Sequence, residues 1–249
     1  MIKELEVIKI RGSSRETVMD KVAEEVPFHI YIEKNHYITL MCSPENLVEL
    51  GYGFLFFDGV IKKKEDVRDI IDMGHTFCFQ LTKSFVPKKE VSERAILSGC
   101  GKGSLHTSLI EDYVTEEKIT HRIPIESERI SELMKDFKDE GQVFLETGGV
   151  HRVALGDVNG IICGFDDIGR HNAVDKNIGY ALTHDISFDD KILFSTGRIS
   201  SDLLAKAIKA RIPLVISHTA PTTLAVEMGR ASGVQIIGFA RGKRMNIYA

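Results

Sequence analysis

The stretch from Lys191 to Ala240 most constrains the fold. It runs KILFST, SSDLLAKAIKA, PLVISH, TTLAVEMGRAS, VQIIGFA. Three apolar runs of strand length alternate with two segments whose apolar residues recur at helical spacing. Such a β-α-β-α-β order implies a parallel layer with right-handed crossovers. Ligands gather at the carboxyl ends of strands in sheets of this kind. The polar clusters STGRISS, SHTAPT and ARGKR all fall there.

Upstream, QVFLET, HRVALGDV and GIICGFDD read as three more strands, the last two joined by a tight Asn159-Gly160 turn. The clusters TGGVH and DDIGRHN then also follow strands, and five clusters on one expected edge define a candidate site. A helix is expected from about Asn172, with Val174, Ile178 and Leu182 inward. SERISELMKDFKDEG carries the helical stripe Ile130, Leu133, Met134 and Phe137, with Gly141 placed to end it. In the first part, PFHIYIEK and HYITLMC are expected as neighbouring strands about a Glu33–Asn35 turn. SPENLVELGYGFLFF is expected to start a helix capped by Ser43, with Pro44 in its first turn and Leu47, Leu50, Phe54 and Leu55 on one face. HTFCFQLT alternates as a strand, with Phe77, Phe79 and Leu81 on one side and Cys78 on the other. The polar stretch Glu111–Ile125 reads as a crossing between domains, which divides an α/β chain into residues 1–120 and 121–249.

The 249 residues suit one large domain or two modest ones of about 100–200 residues. A net charge of −4 argues against bulk electrostatic binding to nucleic acid or to an anionic membrane. The charge is unevenly spread: Gly229–Ala249 holds no acid but has Arg230, Arg241, Lys243 and Arg244, so a local anion site is possible there. MIKELEVIKIRGSS lacks an apolar core of signal-peptide length, and no apolar run approaches the roughly 20 residues that span a bilayer. Cys42, Cys78, Cys100 and Cys163 show no C-x-x-C spacing, as expected of free thiols in a reducing compartment. A cytoplasmic protein is expected.

The most distinctive loop is SGCGKGSLH, residues 98–106. A thiol reacts as its thiolate, which nearby positive charge favours. Lys102 and His106 could supply that charge to Cys100, while glycines allow close backbone approach. A glycine turn with an incidental cysteine has the same composition. Cys42, Cys78 and Cys163 sit in apolar, strand-like contexts that suit core packing. Gly148 and Gly149 could expose backbone N–H groups to an oxyanion, with His151 just beyond. Asp166, Asp167, Arg170, His171 and Asp175 surround a helix entrance, where an anion or a plain Asn172 cap would fit equally. Ser195, Thr196 and Arg198 precede another helix, as a phosphate cradle or a cap. A zinc deaminase needs H-x-E followed by P-C-x-x-C. Here the corresponding segments read HRV and PTTL, so that route lacks its ligands.

Together, EEVPFHIYIEKNHYITLMCSPENLVELGYGFLFFDGVI, VFLETGGVHRVAL, DDIGRHNAVDKNIGYAL, the Cys100 loop and the C-terminal run containing TAPTTLAVE resemble the FdhD (NarQ) family of formate dehydrogenase accessory proteins. The resemblance runs in order from about Glu24 to the C-terminus. It implies a sulfur carrier, a sulfurtransferase-type protein that accepts sulfur from a cysteine desulfurase as a persulfide on Cys100. The sulfur then passes to the molybdenum or tungsten bis-molybdopterin guanine dinucleotide cofactor before that cofactor enters formate dehydrogenase. It also implies a small N-terminal α/β domain, a cytidine deaminase-like three-layer C-terminal domain, and a homodimer. Phe239, Ala240, Arg241, Gly242, Lys243 and Arg244 match the segment that holds the guanine dinucleotide. Gly148, Gly149, His151, Arg170, His171, Ser195 and Arg198 are the further candidates along the rim. Many relatives carry C-G-x-C-G, whereas here Cys100 stands alone, with Leu97 or Gly103 at the other cysteine's place. A relay between neighbouring cysteines is therefore excluded, although one thiol suffices for a persulfide. The competing readings are a chaperone that delivers the cofactor without covalent sulfur chemistry, and a structural escort for the dehydrogenase subunit.

Overall fold

The computed structural model describes residues 1–85 and 118–249. The Cys100 loop and the first part of the Glu111–Ile125 stretch lie outside them. Strands β1 (Ile2–Arg11) and β2 (Ser14–Ala23) form a separate hairpin, turned at Gly12 with φ of 62°. A four-stranded sheet follows, in the order β4-β3-β6-β5. It comprises β3 (Val26–Ile32), β4 (Asn35–Cys42), β5 (Val67–Asp72) and β6 (Thr76–Leu81). The alternation in β6 holds: Phe77, Phe79 and Leu81 are buried, and Cys78 faces outward to the Glu33 carbonyl.

Helix α1 (Leu47–Phe57) closes this sheet, burying Leu47, Leu50, Phe54 and Leu55 against Phe28, Ile30 and Phe79. The expected Ser43 cap is not formed. Asn46, at φ 58°, turns the chain into the helix with no side-chain cap. Ser43 is instead fully buried, donating its N–H to Asp167 Oδ2 at 3.1 Å and accepting from Ile168 N at 3.2 Å.

The second unit is a six-stranded sheet in the order β12-β11-β10-β9-β7-β8. Its strands are β7 (His151–Gly156), β8 (Ile161–Asp167), β9 (Ile192–Ser195), β10 (Leu214–Ser217), β11 (Gln235–Arg241) and β12 (Arg244–Ile247). β9, β10 and β11 are parallel, as the β-α-β-α-β order requires. β7 and β12 run antiparallel to these three, β8 pairs antiparallel with β7 and so runs the same way as β9, and β12 had no counterpart in the sequence reading.

Alternate residues of the strands face two cores. Val153, Leu155, Leu193, Val215 and Ile236 face helices α4 (Arg170–Thr183), α5 (Ser201–Lys209) and α6 (Thr223–Ser232). Ala154, Ile192, Phe194, Leu214 and Ile216 face helix α2 (Ser127–Asp139), which buries Ile130, Leu133, Met134 and Phe137. Helices thus cover both faces of the sheet in three layers. The segment from 118 packs on this unit, with Ile119 N donating to Ser232 O at 2.8 Å.

QVFLET is a helix, α3 (Gln142–Thr147), rather than a strand. Its only successor structure is a left-handed C-cap at Gly148, φ 61°. A six-residue apolar run does not distinguish the two states, and the exposed Leu145 shows that no sheet neighbour claims it. TGGVH therefore precedes β7 instead of ending a strand. It still reaches the expected rim, because β7 runs antiparallel to β9 and places His151 near the end of Ser195's strand.

The units meet where α1 crosses α4. A Cβ on Gly53 would lie 1.9 Å from Asp175 O, and one on Gly179 would lie 1.9 Å from Glu49 O. The helices touch backbone to backbone, which only glycine permits. Replacing an interior helical glycine by alanine ordinarily gains about 1 kcal/mol. Here the overlap is with rigid main chain, so Gly53→Ala or Gly179→Ala is expected to lose about 1–3 kcal/mol net. Urea unfolding checks this against Gly160→Ala, whose Cβ meets nothing within 4 Å and should be near neutral.

Candidate functional site

The carboxyl ends of β8, β9, β10 and β11, with the start of β7, form one rim. At one end, Asp167 closes β8 and α4 begins at Arg170 after Gly169. The expected Asn172 cap is absent, because Asn172 is committed elsewhere. Its Nδ2 donates to Met41 O at 2.8 Å and to Asp167 Oδ1 at 3.0 Å. Asp167 Oδ1 also accepts from Gly169 N at 2.8 Å. Lys176 Nζ sits 2.7 Å from Asp167 Oδ2, both side chains having zero exposure, and reaches Ser43 O at 3.4 Å.

One turn along, Asp175 pairs with Lys206 Nζ at 2.6 and 2.8 Å, and that ammonium lies 4.1 Å from the Phe57 ring centre. Burial raises the Asp175 carboxyl to about 6 despite Lys206. Asn177 donates to Val153 O and Ala173 O. The polar letters of NAVDKN are therefore mostly core hydrogen bonding. Of the candidates at this helix entrance, Asp167 and Asp175 are enclosed, while Arg170 and His171 face the rim.

His151, Arg170 and His171 come together there. Gly197 makes the approach possible: a Cβ on it would lie 3.3 Å from both His151 Nδ1 and Arg170 Cδ. Burial, and then Arg170, lower the pKa of both imidazoles, that of His171 to about 3. Both rings are neutral at pH 7. His171 Nε2 stands 4.0 Å from Asp202 Oδ2, and no hydrogen bond among the described residues reaches it. Ser195 is fully buried, its Oγ accepting from Gly197 N at 3.0 Å, so it shapes the loop from below. Arg198 is exposed in that loop, and the Ser200 hydroxyl caps α5. Gly148 N donates to Phe144 O and Gly149 N to the Thr147 hydroxyl, so both glycine donors are engaged within their own turn.

The other end of the rim is the β11–β12 turn. Phe239 holds φ of 53° and donates its N–H to Thr219 O at 3.0 Å. The Arg244 guanidinium lies 5.5 Å from the Phe239 ring centre, and Arg241 Nε donates to His218 O at 2.9 Å. Ser131 on α2 donates to Gly242 O at 2.7 Å. Ala240 is buried, while Arg241, Gly242, Lys243 and Arg244 are exposed. Sequence reasoning did not single out Gly197, His218 or Ser131. Gly197 and His218 were visible within STGR and SHTAPT, but nothing marked them as contacts of Arg170 and Arg241. Four strand spacings separate β8 from β11, roughly 19 Å. The rim thus carries Arg170 at one end and three exposed cations at the other. Cys100, Lys102 and His106 lie outside the described residues.

Fold and rim together define a three-layer α/β protein with exposed cations at its strand ends. Its whole-chain architecture is similar to a crystal structure of a protein assigned as a formate dehydrogenase accessory protein from Desulfotalea psychrophila. The TM-score is 0.81 at 24% identity, over 99% of this chain and 96% of that one. The chain belongs to the FdhD/NarQ family, whose model matches residues 23–249. A relative from Bacillus pumilus named sulfur carrier protein FdhD is 40% identical over 92% of this chain and 88% of its own length. Another of that name, from Bacillus subtilis, is 38% identical over 93% and 89%.

Removing the Lys176 ammonium leaves Asp167 buried and uncompensated, so Lys176→Ala is expected to lose about 3–5 kcal/mol in urea unfolding. The depressed His171 pKa makes a separate forecast. Neutral in the fold but protonated in the unfolded chain between about pH 6.5 and 3, His171 contributes stability that is present above 6.5 and is lost as pH falls toward 3. Its imidazole NMR signals should therefore not titrate between pH 8 and 5. A midpoint near 6.5 would refute the burial argument.

Proposed function

We propose that this chain is a sulfur carrier serving formate dehydrogenase in the cytoplasm. Cys100 accepts sulfane sulfur from a cysteine desulfurase as a persulfide and passes it on. The acceptor, a substrate here, is the molybdenum or tungsten bis-molybdopterin guanine dinucleotide cofactor, which then enters formate dehydrogenase. The observation that carries this reading is the match, over nearly the whole chain, to relatives named sulfur carrier protein. The rim supports the cofactor half. Arg241, Lys243 and Arg244 are exposed cations suited to a pyrophosphate, and the Arg170 end lies far enough away for a dinucleotide to span. Residues 121–249 are read as a cytidine deaminase-like layer turned from catalysis to binding, and residues 1–120 as the smaller domain bearing the thiol.

The exposed cations Arg241, Lys243 and Arg244 would serve one alternative equally, a chaperone that delivers the cofactor with no covalent step. Cys100→Ala separates the two. Loss of formate dehydrogenase activation with GDP binding retained is the outcome expected for a carrier, and unchanged activation supports the chaperone. Mass spectrometry after incubation with a desulfurase and cysteine should show one added sulfur on the wild type and none on Cys100→Ala. Arg241→Ala with Lys243→Ala should weaken GDP binding; activation unaffected by that pair would favour a structural escort.

A further inference from the structure

Helix α3 stands apart from the five longer α-helices, because none of its six residues is buried. Val143 and Phe144 are partly covered, while Leu145 is 54% exposed. Six residues do not sustain a helix by themselves, and packing of an apolar face usually supplies the rest. Both flanks of α3 are glycine. Gly141 enters it with φ −84° and ψ 64°, outside the helical region, and Gly148 leaves it with φ 61°. Two polar tethers reach α3 from other elements. Lys21 Nζ lies 2.8 Å from Glu146 in an exposed pair, which contributes little, and the Phe144 N–H faces the Asp166 carboxylate.

Between α3 and α2 is a slot of about 260 Å³, partly open to solvent. Met134 and Phe137 line it on the α2 side and Phe144 on the α3 side, with Lys138, Thr196 and His218 completing the wall. The Thr196 hydroxyl is taken up by the Arg152 main chain, and the surface facing the slot is nearly all carbon. Water gains little in such a space. Cations stand beside it. Arg241 Nε donates to His218 O at 2.9 Å, and burial, then Arg241 and Lys138, lower the His218 pKa. Carbon walls next to two cations suit a flat heteroaromatic ring that carries a phosphate. Phe144 narrows the slot, so a ring enters only if one wall withdraws. The α2 wall is fixed, since Phe137 is 1% exposed and its ring centre lies 5.9 Å from that of Phe194 in the core. The wall that can move is α3.

We infer that α3 is a lid, hinged at Gly141 and Gly148, that lifts to admit one flat heteroaromatic ring of a phosphate-bearing ligand into this slot and closes Phe144 upon it. The inference rests on the reading of the rim as a cofactor site, and adds to that site a ring pocket and a moving part. Backbone change at a few terminal residues is what a hinge of this kind requires. Closure removes the ring from water while its phosphate stays beside Arg241. A guanine and a pterin share the chemistry the slot selects, and the two are told apart by separate probes.

Amide hydrogen exchange on the full chain, read by mass spectrometry, tests the inference. Peptides covering residues 141–149 should exchange faster than those of α2 and α4 in the free chain. Saturating GDP should slow them at least ~5-fold, and inorganic pyrophosphate, which has no ring, should not. Slowing by 6-hydroxymethylpterin phosphate instead of GDP would support the lid and assign the slot to the pterin. Phe144→Ala should weaken binding of the ring-bearing probe by about 5-fold or more while leaving pyrophosphate binding unchanged, whereas Arg241→Ala should weaken both. Should Phe144→Ala misfold, exchange in the wild type still decides. Ring probes that bind without changing exchange at 141–149 would overturn the lid and leave the cofactor reading standing, as would an equal loss of pyrophosphate binding in a folded Phe144→Ala. Binding of none of the three probes would overturn the cofactor reading, and the lid with it.

Discussion

A carboxylate with no solvent exposure, Asp167, holds the molecule together. Its two oxygens receive the ammonium of Lys176, the amide of Asn172 and the backbone N–H groups of Ser43 and Gly169. These partners come from the end of β8, the start of α4 and the chain leaving β4, so one side chain joins both units and fixes the entry to the rim. Such a group is not retained for net attraction, since desolvation offsets much of the Coulomb gain. What it supplies is geometry, because any other arrangement strands a buried charge.

The same helix serves two ends. The first turn of α4 presents Arg170 and His171 at the rim, and its next two turns are buried nearly all round among Asp175, Lys176, Asn177 and Ile178. The rim is thereby anchored in the densest polar network of the core. Neutral imidazoles beside Arg170 follow from this anchoring: low solvent access and a fixed guanidinium both disfavour a second positive charge. The opposite end is built differently. Arg241 and Arg244 lie on an exposed turn, braced by the His218 and Thr219 carbonyls and by the Phe239 ring.

The sequence was most legible where burial is one-sided. The parallel strands β9 to β11, the stripe on α2 and the alternation in β6 carry strong periodic signals, because one face of each meets a core. QVFLET failed for want of length, a six-residue apolar run fitting either period. The β1–β2 arm was not assigned because both of its faces carry apolar and charged residues, so no core imposes a clear alternation. Asn172 and Asp175 read as capping residues because their partners, Met41 and Lys206, are 131 and 31 positions away. The rim's place at the strand ends was legible from the order of elements. Its cross-contacts, such as Gly197 beside His151, depend on tertiary proximity that spacing does not encode.

The crossing of α1 and α4 has a mechanical consequence. Side chains at an interface can change rotamer and let two elements slide, but main chain pressed on main chain at Gly53 and Gly179 has no rotamers to change. The seam between the four-stranded and six-stranded sheets is thus a weld rather than a hinge. Any reshaping of the rim must then arise in the loops above the strand ends, while the platform beneath them stays stiff.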